Sequence, residues 1–83
     1  MGFEVLFPKR AIKDRELLKA AGLSEKARVL CKILADNPFQ NPPPYERLVG
    51  DLEGSYSRRI NIQHRLVYEV DKTNHIVYVL RMW

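Results

Sequence analysis

The sequence predicts an α+β domain in which two helices from the N-terminal half pack on one face of a four-stranded, mainly antiparallel sheet. Three observations carry that expectation. The stretches 56–61, 65–70 and 75–82 are rich in aromatic and β-branched residues and are joined by short polar turns, the pattern of an antiparallel meander. Ala27, Leu30, Cys31 and Leu34 recur at the i, i+3, i+4, i+7 spacing of a buried helical stripe. "FEVLF", residues 3–7, alternates Phe3, Val5 and Phe7 against Glu4 and Leu6, a further strand closed by Pro8.

Between that strand and the stripe, residues 9–21 are strong helix formers, and Gly22 supplies a C-terminal stop. Ser24 is expected to cap the second helix. Asp36-Asn37-Pro38 should end it, because the residue before a proline is pushed out of the α region. "NPPPYERLVGDLEGS", 41–55, reads as an irregular loop. Its consecutive prolines remove backbone donors and favour an extended path. Tyr45, Leu48 and Leu52 should hold it against the fold, and ordered loops are where functional groups concentrate.

Eighty-three residues make a single domain, 1–83, which buries about 60–65% of its unfolded surface. Apolar residues at 46% suit a folded globule rather than a disordered chain. The lone Cys31 excludes an intramolecular disulfide and a cysteine-only metal cage, and on the helical stripe it reads as core. No apolar run approaches the ~20 residues a bilayer requires, and "MGFEVLFPKR" lacks the basic start and the length of a signal peptide. The expectation is a soluble cytoplasmic protein. Two distant histidines give no metal-ligand spacing, and neither a glycine-rich phosphate loop nor a nucleophile elbow is present. No cofactor is expected.

The charge is the informative feature. The net value of +4 is ordinary, but Arg58, Arg59, Arg65, Lys72 and Arg81 face only Glu69 and Asp71 beyond Tyr56. Arginine grips phosphate or carboxylate through two parallel hydrogen bonds, so a polyanionic partner is favoured. Side-chain alternation sharpens this. If Asn61–Gln63 form a three-residue hairpin loop, Arg59 lies directly opposite Arg65. Ser57, Arg59, Arg65, Val67 and Glu69 then share one face, while Tyr56, Ile60, Leu66, Tyr68 and Val70 share the face the helices cover. Two cations directly across from each other repel. Either a bound anion compensates them, or they pair with Glu46, Asp51, Glu53 or Glu69 on the surface. Arg58 falls on the covered face, where a structural role is favoured.

Here the pattern resembles a family. "NP-F", "YERLVGDLEGSYSRRI" and "HRLVY", across residues 24–81, are similar to the YoeB/Txe toxins of bacterial toxin–antitoxin pairs, in the RelE superfamily. The resemblance implies a RelE-like fold and a ribosome-dependent endoribonuclease that cuts mRNA. It also implies a cognate antitoxin partner with a largely disordered C-terminal segment. Carried over by position, Glu46 is the catalytic glutamate, Arg65 the phosphate-stabilising arginine, Arg59 a second substrate arginine, and Arg81 the arginine of the last strand. Val49 stands where the family has a lysine.

The implied chemistry suits these side chains. RNA can be cut by its own 2′-OH without a metal, given a base for the hydroxyl proton, cations for the phosphorane and an acid for the 5′-oxygen. Glu46 can be the base, and Arg65 and Arg59 can stabilise the phosphate. The family ends in a His-Tyr pair just beyond the arginine of the last strand, whereas this chain reads Arg81-Met82-Trp83. Impaired cleavage is therefore expected, since His64 and His75 sit at turns. The alternative is a non-catalytic basic module that binds RNA, ribosome or an acidic peptide, or a structural interaction domain that adds a partner strand.

Overall fold

The computed structural model describes residues 2–41, 44–48 and 54–82. The chain runs β1 (Glu4–Leu6), α1 (Lys9–Ala20), α2 (Ser24–Asp36), β2 (Tyr45–Arg47), β3 (Ser55–Arg59), β4 (Arg65–Asp71) and β5 (Ile76–Met82). The strands form one sheet in the order β1-β5-β4-β3-β2. β1 runs parallel to β5, and the other neighbours are antiparallel.

The expected four strands are corrected to five, because the proline-rich stretch contributes β2. Prolines lack donors only at their own positions, and Tyr45, Glu46 and Arg47 pair with Arg58, Ser57 and Tyr56. The ladder continues through the Leu48 N–H to the Ser55 carbonyl, 3.0 Å. The readings made for Val49, Asp51, Leu52, Glu53 and Trp83 lie outside the described residues.

α1 ends as its glycine requires. Gly22 has φ +76°, its N–H donates to the Lys19 carbonyl, and the Leu23 N–H reaches back to the Leu18 carbonyl at 2.9 Å. That pair of bonds is a Schellman closure, sealed by the buried side chains of Leu18 and Leu23. Ser24 is not the cap expected of it: Leu23 holds the N-cap position and no side chain caps the helix. At the other end Asn37 is extended ahead of Pro38, and its Oδ1 accepts the Phe39 N–H at 3.0 Å.

The helices cover one face of the sheet. Ala11, Leu18, Leu23, Ala27, Leu30 and Leu34 meet Ile60, Leu66, Tyr68, Val77, Val79 and Met82 in a single core. A bulge decides how β5 ends. Val67 pairs with Arg81 but Tyr68 pairs with Val79, so Leu80 is the extra residue. Without that insertion, alternation would turn Arg81 inward and Met82 outward. With it, Met82 is buried and Arg81 joins the opposite face.

Where the helices stop, aromatic rings complete the covered face. Phe39, Tyr45, Tyr56 and Tyr68 pack together with centroids 5.3–6.2 Å apart, Tyr56 meeting Phe39 and Tyr45 edge to face and stacking on Tyr68. Arg58, 1% exposed, lies among them. Its Nη2 donates to the carbonyls of Pro38 and Gln40, each at 2.9 Å, and its Nε to the Tyr68 hydroxyl at 3.3 Å. Its guanidinium also sits 5.0 Å from the Tyr45 ring centroid. The structural role favoured for Arg58 is the one found.

Candidate functional site

The open face of the sheet is organised by the β3–β4 hairpin. Asn61–Gln63 form its loop, as the three-residue reading required, and Asn61 shapes it: its Oδ1 accepts the N–H groups of Gln63 and His64 at 2.8 and 2.7 Å. The Ile60 N–H closes on the His64 carbonyl at 2.8 Å. This turn sets Arg59 directly against Arg65.

The next row across the open face is Glu46, Ser57, Val67 and Arg81, one residue from each of β2, β3, β4 and β5. Glu46 and Arg65 reach towards each other over β3, with Oε2 and Nη1 3.5 Å apart. Both side chains are well exposed, and such a pair contributes at most about 1 kcal/mol. Its length leaves Arg65 available for a stronger, charge-assisted contact to an incoming oxyanion. Glu46 and Arg65 therefore form the surface pair expected as one alternative, with Arg59 directly opposite Arg65 on the same face.

Arg81 is placed differently from its row. Its Nε donates to Asp14 Oδ2 at 2.7 Å, and the Met82 N–H donates to the same oxygen at 3.0 Å. Asp14 is a buried carboxylate on α1 that the sequence reading did not single out. Burial pushes its pKa up. The hydrogen bonds from Arg81 and Met82 and the charges of Arg81 and Arg10 outweigh that, holding the carboxyl below its usual range. The histidines have partners elsewhere. The His64 ring lies 3.2 Å from Asn61 Oδ1, and His75, at φ +55°, stacks on Phe3 with centroids 4.7 Å apart.

Sequence reasoning placed Ser57 on the open face but gave it no role. It is 3% exposed, directly opposite Glu46 on one side and Val67 on the other. Among the described residues, no group of three or more His, Cys, Asp or Glu side chains is assembled to hold a metal ion. No helix among them is long and apolar enough to cross a membrane. A cavity of about 450 Å³ lies away from the arginine face, between α1, α2 and Met82, and Cys31 borders it. Burial raises the Cys31 thiol above its ordinary pKa, which makes it a poor nucleophile.

The chain thus presents a mixed sheet with helices on one face and, on the other, a carboxylate beside two opposed arginines. Residues 9–82 match the family described as the YoeB-like toxin of bacterial type II toxin–antitoxin systems. The chain belongs to this family. It is 42% identical over 57 residues to Toxin YoeB of Synechocystis, a match covering 69% of this chain and 59% of that relative. The fold superposes on the YoeB/ParE toxin from Agrobacterium tumefaciens with a TM-score of 0.85 at 28% identity, covering 96% of this chain and 95% of that one. It superposes on a chain of the heterotetrameric YoeB-YefM toxin–antitoxin complex from Staphylococcus aureus with a TM-score of 0.79, also at 28% identity, covering 98% and 94%.

Proposed function

We propose that this chain is a metal-independent endoribonuclease that cleaves mRNA on the ribosome and is neutralised by a cognate antitoxin. The observation that carries the reading is the placement of Glu46 beside two directly opposed arginines, Arg59 and Arg65, on the one face the helices leave open. Opposed cations are tolerated where an anion is to be held between them. The likeness to toxin–antitoxin complexes supports the antitoxin as partner, and the cytoplasm is where its ribosomal substrate resides.

In this mechanism a scissile phosphate enters between Arg59 and Arg65, displacing Glu46 from its weak pairing. Glu46 takes the proton of the adjacent 2′-OH as that oxygen attacks phosphorus. The bond to the 5′-oxygen breaks, the leaving oxygen takes its proton from solvent water, and the products carry a 2′,3′-cyclic phosphate and a 5′-hydroxyl. The arginines neutralise charge that builds on the phosphorane. Arg81, its Nε held by Asp14, adds a further cation at the β5 end of this face. His64 and His75 are bound up in turns and take no part.

The test is cleavage of mRNA on purified ribosomes, with end-group analysis of the products. A cyclic phosphate and a 5′-hydroxyl are expected, together with resistance of a message carrying 2′-deoxy at the scissile nucleotide. Cleavage of the deoxy message would overturn the mechanism. Tight binding of ribosome or RNA without any cleavage would leave the binding-module reading in its place.

A further inference from the structure

Ser57 Oγ is buried and has no hydrogen-bond partner among the described residues. A hydroxyl in that state has given up its water without compensation, and such an atom calls for an explanation. The geometry supplies one. β3 lies between β2 and β4, so the Glu46–Arg65 pair must bridge over β3 at the level of Ser57 and Arg59. Ser57 stands opposite Glu46 and diagonal to Arg65, beneath that exposed, 3.5 Å contact.

From this we infer that Ser57 is a phosphate-binding residue, whose hydroxyl donates to a non-bridging oxygen of the phosphodiester that Arg59 and Arg65 hold. The inference rests on the phosphodiester reading of the open face given above. When the phosphate draws Arg65 away from Glu46, the cover over Ser57 parts and its donor meets the newly seated oxygen. The hydroxyl is unsatisfied in the free protein because its partner arrives with the ligand. Being uncharged, it adds orientation without releasing counterions, which separates its contribution from that of either arginine.

The experiment measures binding of a labelled single-stranded RNA ten-mer, and of DNA of the same sequence, by fluorescence anisotropy from low to moderate salt. Ser57→Ala is expected to weaken both by about three- to tenfold, the worth of one hydrogen bond, with the salt slope unchanged. Ser57→Thr should restore binding. The melting temperature of Ser57→Ala should equal or exceed that of the parent, because an unsatisfied buried hydroxyl has been removed. A purely structural serine would give the opposite pair of results, a lower melting temperature and intact binding. Unchanged affinity in Ser57→Ala, while Arg65→Ala binds weakly, overturns this inference alone. Loss confined to RNA also overturns it, since the hydroxyl would then be reading the ribose. No loss in Arg65→Ala, or no binding by the parent at low salt, brings down the open-face reading and this inference together.

Discussion

Glu46 and Arg65 lie on strands that are not neighbours, yet their side chains meet 3.5 Å apart across the strand between them. The contact is long and exposed, so it contributes little to the fold, and in the proposed mechanism it competes with the phosphate for Arg65. Glu46→Gln should therefore change stability by less than about 0.5 kcal/mol. It should bind RNA several-fold more tightly, because a repelling carboxylate and a rival for Arg65 are both gone, and it should fail to cleave. Arg65→Ala should weaken binding and reduce the salt slope by about one. Weaker RNA binding by Glu46→Gln would show that the carboxylate helps to hold the ligand rather than standing in for it.

Asp14 anchors the end of β5, and its protonation should be visible in acid stability. A carboxyl lowered on folding contributes stability that is fully present above its unfolded pKa of about 3.9 and is lost as pH falls through the lower folded value. Asp14→Asn should cost roughly 1–2 kcal/mol near neutrality. The gap between variant and parent should then close below about pH 4, as the parent's own carboxylate protonates. Denaturant titrations at several pH values measure this. A gap that stays constant down to pH 2 would mean that Asp14 acts by packing rather than by charge.

The stripe on α2 and the opposition of Arg59 to Arg65 were legible in the sequence because each follows from a local rule. One is helical periodicity, and the other is a short loop combined with strand alternation. β2 was not legible, since its prolines suggest an irregular path while three residues beyond them retain their donors. The partners of Arg58 were hidden for a different reason. They are main-chain carbonyls 18 and 20 residues away, and a carbonyl leaves no trace in the sequence. Asp14 looked like one more surface charge of a helix, because nothing local marks which turn meets the end of β5. Ser57 could have been noticed as a hydroxyl among cations on the open face, but its lack of a partner is a property of the folded state alone.

Gly22 offers a check on the turn between the helices. Its φ of +76° strains any residue with a Cβ, yet among the described residues no atom beyond its two chain neighbours lies within 4 Å of where that Cβ would be. Gly22→Ala should therefore cost about 1 kcal/mol through backbone conformation alone, without steric disruption. The circular dichroism spectrum should be unchanged while the unfolding midpoint falls. A loss of several kcal/mol would point to a contact that this open surface does not contain.

Arg58 and Arg59 are consecutive, and their substitution should separate fold from function. Arg58 is buried, with its guanidinium shared between two carbonyls, a tyrosine hydroxyl and the face of Tyr45. Arg58→Ala removes those bonds and the cation over the Tyr45 ring, for a loss of about 3 kcal/mol or more. Arg58→Lys should recover little, because one ammonium cannot match a planar fork that binds on two sides. Arg59 is exposed at the edge of the open face, so Arg59→Ala should leave stability within about 0.5 kcal/mol while lowering RNA affinity and the salt slope. Measured on the folded fraction, Arg58→Ala should keep the parent's salt slope. If Arg59→Ala were the more destabilising change, or Arg58→Ala the one that altered the salt slope, the assignment of the two faces would be reversed.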